Sequence, residues 1–283
     1  MKKIFLLLVI ASIFAVENIG TIKIVKKDGQ TFFYKNNKEF QLTGSQLKIV
    51  QGNMRMLSEA TVEYEEADLP VELFGMVAVT AVANDSALLV TAKNPANVKV
   101  AIIDTGADIN NSYLKEYCLV NTNEIAGNGI DDDNNGYIDD YYGVNIIEDN
   151  GSVLDDQGHG TCMLSEVAMQ SNGNAKIIPI KAFDSRGCSS QFIIAKAIGY
   201  AVERGADVIN CSFGYPNQTE TLRLAIQYAL DNGVIVVAAA GNNGQEIVMY
   251  PAGYPGVMAV SSLDDNDRLS YFSNYGDHIK VSC

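Results

Sequence analysis

The sequence predicts an α/β protein, a doubly wound and mostly parallel sheet preceded by a small β-rich region, on three observations. Beyond Asn94-Pro95, short and almost wholly apolar runs recur, each about as long as a strand buried on both faces. Amphipathic runs of helical period separate them, which is the pattern of a sheet covered by helices on both sides. The polar residues Asp104, Ser212 and Asn242 each stand where an apolar run stops, and in such sheets chemistry gathers at the carboxyl ends of strands.

Taken in order, the chain opens with Met1-Lys2-Lys3 and the apolar run Ile4 to Val16. A short apolar core behind a basic start reads as a signal peptide over 1–15, with Ile13-Phe14-Ala15 as a tolerable cleavage site. The run is too short to span a bilayer and no later run is longer, so the expected protein is secreted or extracytoplasmic and has no membrane partner after cleavage. Residues 16–94 are expected to form a β-rich accessory or pro-region. Thr21–Val25 alternates polar and apolar, Asp28-Gly29 turns, and Thr31–Tyr34 returns, which is a hairpin signal. Gln46–Val50 and Val77–Val82 read as further strands, with an acidic patch at Glu63–Asp68 between them.

Residues 95–283 carry the alternation. Strands are expected at Val98–Ile103, Lys176–Phe183, Asp207–Ser212, Val234–Ala240, Val257–Leu263 and Ile279–Cys283. A helix follows Thr161, a second covers Ser189–Arg204 with Ile194, Ile198, Ala201 and Ala206 at helical spacing, and a third runs from Glu220 to Asn232, stopped by Gly233.

The formal charge is −14, which excludes nucleic acid and anionic membrane as partners, since either asks for a basic face. The five cysteines show no metal spacing, and the odd number leaves at least one thiol unpaired. Cys162 and Cys211 lie in apolar runs and are expected to be buried free thiols.

Between Asp104 and His159 lies an acidic insert, Gly127 to Asp140. Counted from Asp131, side-chain oxygens fall at positions 1, 3, 5 and 9 (Asp131, Asp133, Asn135, Asp139), with glycine at 6 and Ile138 at 8. That is the spacing of an EF-hand type calcium loop, in which the Tyr137 carbonyl would be a further ligand. Position 12 is Tyr142 and not glutamate, so the full loop is absent. A solvated acidic turn is the plainer alternative; the matched spacing favours calcium.

His159 is one of two histidines and is enclosed as Gly158-His159-Gly160-Thr161. Flanking glycines let backbone and substrate approach the ring. An aspartate at a strand end, this histidine and the asparagine of Ala240-Gly241-Asn242 together point to acyl transfer. A buried carboxylate orients the imidazole, the imidazole takes a proton from a serine, and the amide receives the oxyanion.

Ile103-Asp104-Thr105-Gly106, Gly158-His159-Gly160-Thr161, Asn210-Cys211-Ser212-Phe213-Gly214, Ala238-Ala239-Ala240-Gly241-Asn242, Tyr250-Pro251-Ala252 and Phe272-Ser273-Asn274-Tyr275-Gly276 together resemble the subtilisin family of serine endopeptidases, in collinear order. The resemblance implies Asp104 as the orienting carboxylate, His159 as the general base and Asn242 as the oxyanion donor. It implies a cleft for an extended polypeptide substrate, walled by Ser212-Phe213-Gly214 and, in a weaker match, by Gly187 of Arg186-Gly187-Cys188. The family's nucleophile sits in a Gly-Thr-Ser segment, and no Gly-Thr-Ser occurs here. The peptidase domain is therefore expected to be incomplete at its C-terminus and the 283-residue chain inactive. A non-catalytic homologue that binds peptide or calcium is the alternative. A minor one is an aspartic protease read from Asp104-Thr105-Gly106, disfavoured by the Gly-His-Gly-Thr motif and the β/α alternation.

Overall fold

The structure is a computed structural model that describes residues 21–27, 30–35, 38–42, 61–73, 98–171, 173–264 and 266–283. The signal-peptide assignment and the strands expected at Gln46–Val50 and Val77–Val82 lie outside the described residues.

The N-terminal region forms a four-stranded antiparallel sheet of β1 (Thr21–Lys27), β2 (Gln30–Lys35), β3 (Lys38–Leu42) and β4 (Thr61–Ala67), in the order β3-β2-β1-β4. The expected hairpin is β1–β2, in register from Lys23 opposite Tyr34 to Lys27 opposite Gln30.

The larger sheet has seven strands, all paired in parallel: β6 (Val98–Asp104), β7 (Val144–Asn145), β8 (Ala175–Lys181), β10 (Val208–Cys211), β12 (Ile235–Ala239), β13 (Met258–Ser261) and β14 (Val281–Ser282). Their order is β14-β13-β12-β10-β6-β8-β7. Side chains alternate between its faces, as a strand's period of two requires. Val98, Val100 and Ile102 of β6 join Val208, Val237 and Val260 under α2 (His159–Gln170), beside the short α1 (Ser112–Lys115). Ala101 and Ile103 turn the other way, into a larger core with α3 (Gln191–Glu203) and α4 (Glu220–Asp231). Both faces being covered is why the strands read as continuous apolar runs.

The helices begin where their caps are. Ser190 precedes α3 in extended conformation and its hydroxyl accepts from the Ile193 amide, so the helix starts at Gln191. The helix α2 buries Gly160, Met163, Leu164, Val167 and Ala168 at helical spacing. Cys162 falls off that stripe and is exposed, contrary to the expectation from its apolar neighbours, whereas Cys211 in β10 is buried as expected. Cys118, Cys162 and Cys211 are free thiols. Among the described residues no helix is long and apolar enough to cross a membrane.

A third sheet joins the two regions. Pro70–Leu73 (β5) lies between β9 (Cys188–Ser190) and β11 (Phe213–Gly214), antiparallel to both.

Candidate active site

Asp104 ends β6 with no exposed surface. Thr105 donates its amide to Oδ1 at 2.8 Å and its hydroxyl to the same oxygen at 3.4 Å, and His159 Nδ1 lies 2.8 and 2.9 Å from the two carboxylate oxygens. An ionised carboxylate only accepts, so Nδ1 is the donor and Nε2 is left as the ring's basic atom. The imidazole's outer edge reaches solvent, with the side chain 12% exposed.

The turn that carries His159 is held from several sides. Gly158 caps α2 with φ +104°, a conformation that a side chain would strain. Gly160 packs directly on the Gly106 backbone, so a Cβ there would overlap the Gly106 carbonyl oxygen. Its amide donates to Thr105 Oγ1 at 2.9 Å. Asp155 accepts from the Gln157, Gly158 and Thr161 amides and from the Thr161 hydroxyl. Burial alone would raise the Asp155 pKa; these hydrogen bonds outweigh it and bring the carboxyl down to about 2. On the other side, buried Lys181 donates to the Thr105 and Phe183 carbonyls and to Asp156 Oδ1. The sequence analysis assigned no role to Asp155 or Lys181. The only signal was their placement, one four residues before the histidine and the other at a strand end.

β10 and then β12 follow β6 on one side of it, all parallel, so Ser212 and Gly241-Asn242 emerge at the same end of the sheet as Asp104. Asn242 is exposed there. The turn beneath it is clamped by buried Asn274, whose Nδ2 donates to the Ala240 carbonyl, whose Oδ1 accepts from the Asn243 amide, and whose own amide donates to the Gly241 carbonyl. Ser212 is fully buried and its hydroxyl engages Asn210 Nδ2 and Met163 Sδ. The hydroxyls of Ser190, Ser261, Ser262, Ser270 and Ser273 are likewise hydrogen-bonded to partners other than His159.

The two expected cleft walls face each other across β5. Glu72 is opposite Gly214 and Leu73 opposite Phe213 on one side; Pro70, Val71 and Glu72 are opposite Ser190, Ser189 and Cys188 on the other. Val71 is fully buried in the core that includes Phe183, Phe192 and Phe213. A Cβ built on Gly187 would lie 3.2 Å from Leu73 Cδ1 and 3.7 Å from Gln157 Nε2. Gln157 Oε1 in turn accepts from the His159 amide, so this side chain links the Gly187 turn to the histidine's turn. Asp68, just upstream, accepts from the Phe192 amide at the start of α3.

In the acidic insert, Asp131 accepts from the Asn135 and Gly136 amides, Asp133 Oδ1 from the Asn135 amide, and Asn135 Oδ1 from the Tyr137 amide. Gly136 turns the chain with φ +94°. These oxygens are turned towards amides of their own loop. Asp139 differs: its carboxylate accepts from the Gly127, Asn128 and Gly129 amides and stabilises the preceding turn. A second acidic group lies deeper, where Glu124, Asp133 and Asp140 bring one oxygen each within 4.8 Å of one another. Burial pushes the Asp140 carboxyl up, and burial followed by the Asp133 charge pushes the neighbouring Glu203 to about 8.

Residues 95–282 match the sequence profile of the subtilase family. The chain is 42% identical over 132 residues to the thermophilic serine proteinase of Bacillus sp. (strain AK1), covering 44% of this chain and 33% of that protein. It is 32% identical over 198 residues to subtilisin DY of Bacillus licheniformis, covering 66% and 64% respectively. To the major intracellular serine protease of Bacillus subtilis (strain 168) it is 34% identical over 201 residues, covering 65% and 57%. The chain thus spans less than two thirds of the length of each of these relatives.

Proposed function

The chain belongs to the subtilase family, and we propose that its Asp104–His159 pair is the general-base half of a serine endopeptidase. The observation that carries this reading is the buried Asp104 carboxylate accepting from His159 Nδ1, at the carboxyl end of an interior strand of a parallel sheet and beside two short strands that already hold an extended one between them. Asp104 fixes the tautomer and stabilises the imidazolium, Nε2 takes the serine proton and returns it to the leaving amine, and Asn242 donates to the oxyanion. Substrate pairs backbone to backbone with β9 and β11, as β5 does, with apolar side chains where Val71 and Leu73 lie. Residues 16–94 act as a pro-region whose β5 occupies that groove, and residues 1–15 direct export. Calcium on the acidic insert is part of the same reading, supported by the spacing from Asp131 to Asp139.

The sequence has no Gly-Thr-Ser, and the hydroxyls of Ser190, Ser212, Ser261, Ser262, Ser270 and Ser273 are engaged elsewhere, so the 283-residue chain alone is proposed not to form an acyl-enzyme. The test is labelling with a fluorophosphonate, which marks activated serines. The chain alone stays unmarked, whereas the chain supplemented with a relative's segment containing Gly-Thr-Ser is marked, and His159→Ala abolishes the mark. Stoichiometric labelling of the 283-residue chain, or of the supplemented His159→Ala variant, refutes the reading.

A further inference from the structure

Lys181 closes β8 after the apolar run Ile177 to Ile180, and only 6% of it is exposed. In the parallel pairing of β6 with β8 it is the register partner of Asp104. An ammonium so far from water is costly unless its protons find acceptors. Three acceptors meet it: the Thr105 carbonyl at 2.7 Å, Asp156 Oδ1 at 2.7 Å and the Phe183 carbonyl at 3.3 Å.

These acceptors lie on three different segments. Thr105 follows Asp104 and also holds it, since its amide and its hydroxyl donate to Asp104 Oδ1. Phe183 lies just beyond β8, and its amide and that of Ala182 donate to the Asp104 carbonyl at 3.1 and 2.8 Å. Asp156 stands three residues before His159, in the turn that presents the ring. One nitrogen atom therefore touches both the strand end that carries Asp104 and the turn that carries His159. The bonds of neighbouring Asp155 to Gln157, Gly158 and Thr161 shape that turn from within. The Lys181–Asp156 contact instead fixes where the turn sits against β6 and β8.

The Asp156 side chain is 53% exposed, so the ion pair by itself contributes little stability. Its effect is on geometry. The Nδ1 to carboxylate distances of 2.8 and 2.9 Å belong to a hydrogen bond that weakens steeply once it is stretched or misaligned. A small slide of the turn along β6 is enough to weaken it.

We propose that Lys181 is a positioning residue for the Asp104–His159 pair: its ammonium ties the end of β6 to the turn before α2 and so holds Nδ1 on the carboxylate. The inference rests on the reading of that pair as a general base. Lys181 touches neither substrate nor the reacting atoms.

The deciding variant is Lys181→Met, which keeps the apolar stem and removes the ammonium. The full chain is labelled with nitrogen-15 histidine, and nitrogen–proton spectra of its two imidazoles are recorded well below the melting transition. In wild type the His159 proton is expected on Nδ1 and protected from exchange with water. In Lys181→Met that proton is expected to exchange about tenfold faster or more, as the loss of a hydrogen bond to a charged group implies. Asp156→Ala, which cuts only the link to the histidine's turn, moves exchange in the same direction by less, and it carries the test should Lys181→Met not fold. A lower melting temperature with unchanged Nδ1 exchange makes Lys181 a plain strand-end anchor and overturns the proposal while the general-base reading stands. A wild-type ring without its proton on Nδ1 overturns both.

Discussion

Replacing Gly160 by alanine isolates the contact that seats His159 against Asp104. Gly160 has ordinary helical geometry, so intrinsic propensity alone favours alanine by about 1 kcal/mol. The structure predicts the opposite sign. The added Cβ overlaps the Gly106 carbonyl oxygen and lies 2.9 Å from the Gly106 nitrogen and 3.2 Å from Asp104 Cβ. All of these are backbone or strand-end atoms with little freedom to yield. Restoring an ordinary carbon–oxygen contact needs a shift of about 1 Å between α2 and the end of β6. A shift of that size stretches the 2.8 Å Asp104–His159 hydrogen bond beyond hydrogen-bonding range. Overpacking of this kind costs about 1–3 kcal/mol, which against the propensity gain of about 1 kcal/mol leaves a net loss of up to about 2 kcal/mol. At roughly 2–4 °C per kcal/mol for a domain of this size, melting should fall by several degrees. The second readout is the histidine tautomer, seen in nitrogen–proton correlation spectra that hold only two imidazoles. Wild-type His159 should carry its proton on Nδ1, and Gly160→Ala should lose that preference. A variant as stable as wild type, with the Nδ1 proton retained, refutes the packing argument.

Asp155 gives a pH signature. Its folded pKa of about 2 lies below its ordinary value, so its contribution is present above about pH 4 and is lost as pH falls towards 2. Asp155→Asn should therefore melt below wild type at pH 7 and show a shallower loss of melting temperature between pH 4 and pH 2; parallel curves contradict this. Val71→Asp places a carboxylate among Phe183, Phe192 and Phe213 and should release β5 from the groove. Limited proteolysis of wild type between residues 83 and 97 should leave an N-terminal piece that still co-elutes with residues 98–283, and Val71→Asp should abolish the co-elution. Co-elution of the cut variant, or cutting within the β/α region instead, counts against this arrangement.

The seven-stranded sheet was legible because its strands are buried on both faces, and the contrast between Val98–Ile103 and the polar Asp104 marks both the strand and its functional end. His159 was legible because glycines flank it, Gly158 in a left-handed conformation and Gly160 packed on the Gly106 backbone. The occupant of the groove was not legible: β5 is four residues long, starts with proline, and pairs with partners more than a hundred residues away. Lys181, Asp155 and Asn274 act through backbone carbonyls and amides, which leave no trace in residue spacing. Cys162 was misread because neighbours in sequence, Met163 and Leu164, face the core while Cys162 itself does not.

The central claim is that the groove between β9 and β11 delivers a peptide to a basic His159. A peptidyl chloromethyl ketone built on the chain's own Val71-Glu72-Leu73-Phe74 tests it most directly, because it alkylates a groove-facing histidine without needing a serine. Peptide mapping by mass spectrometry reads which of the two histidines is modified. The account predicts modification at His159 and not at His278, faster in Val71→Asp than in wild type and abolished by Asp104→Ala. Modification of His278 instead, or an unmodified His159 in the Val71→Asp chain, contradicts it.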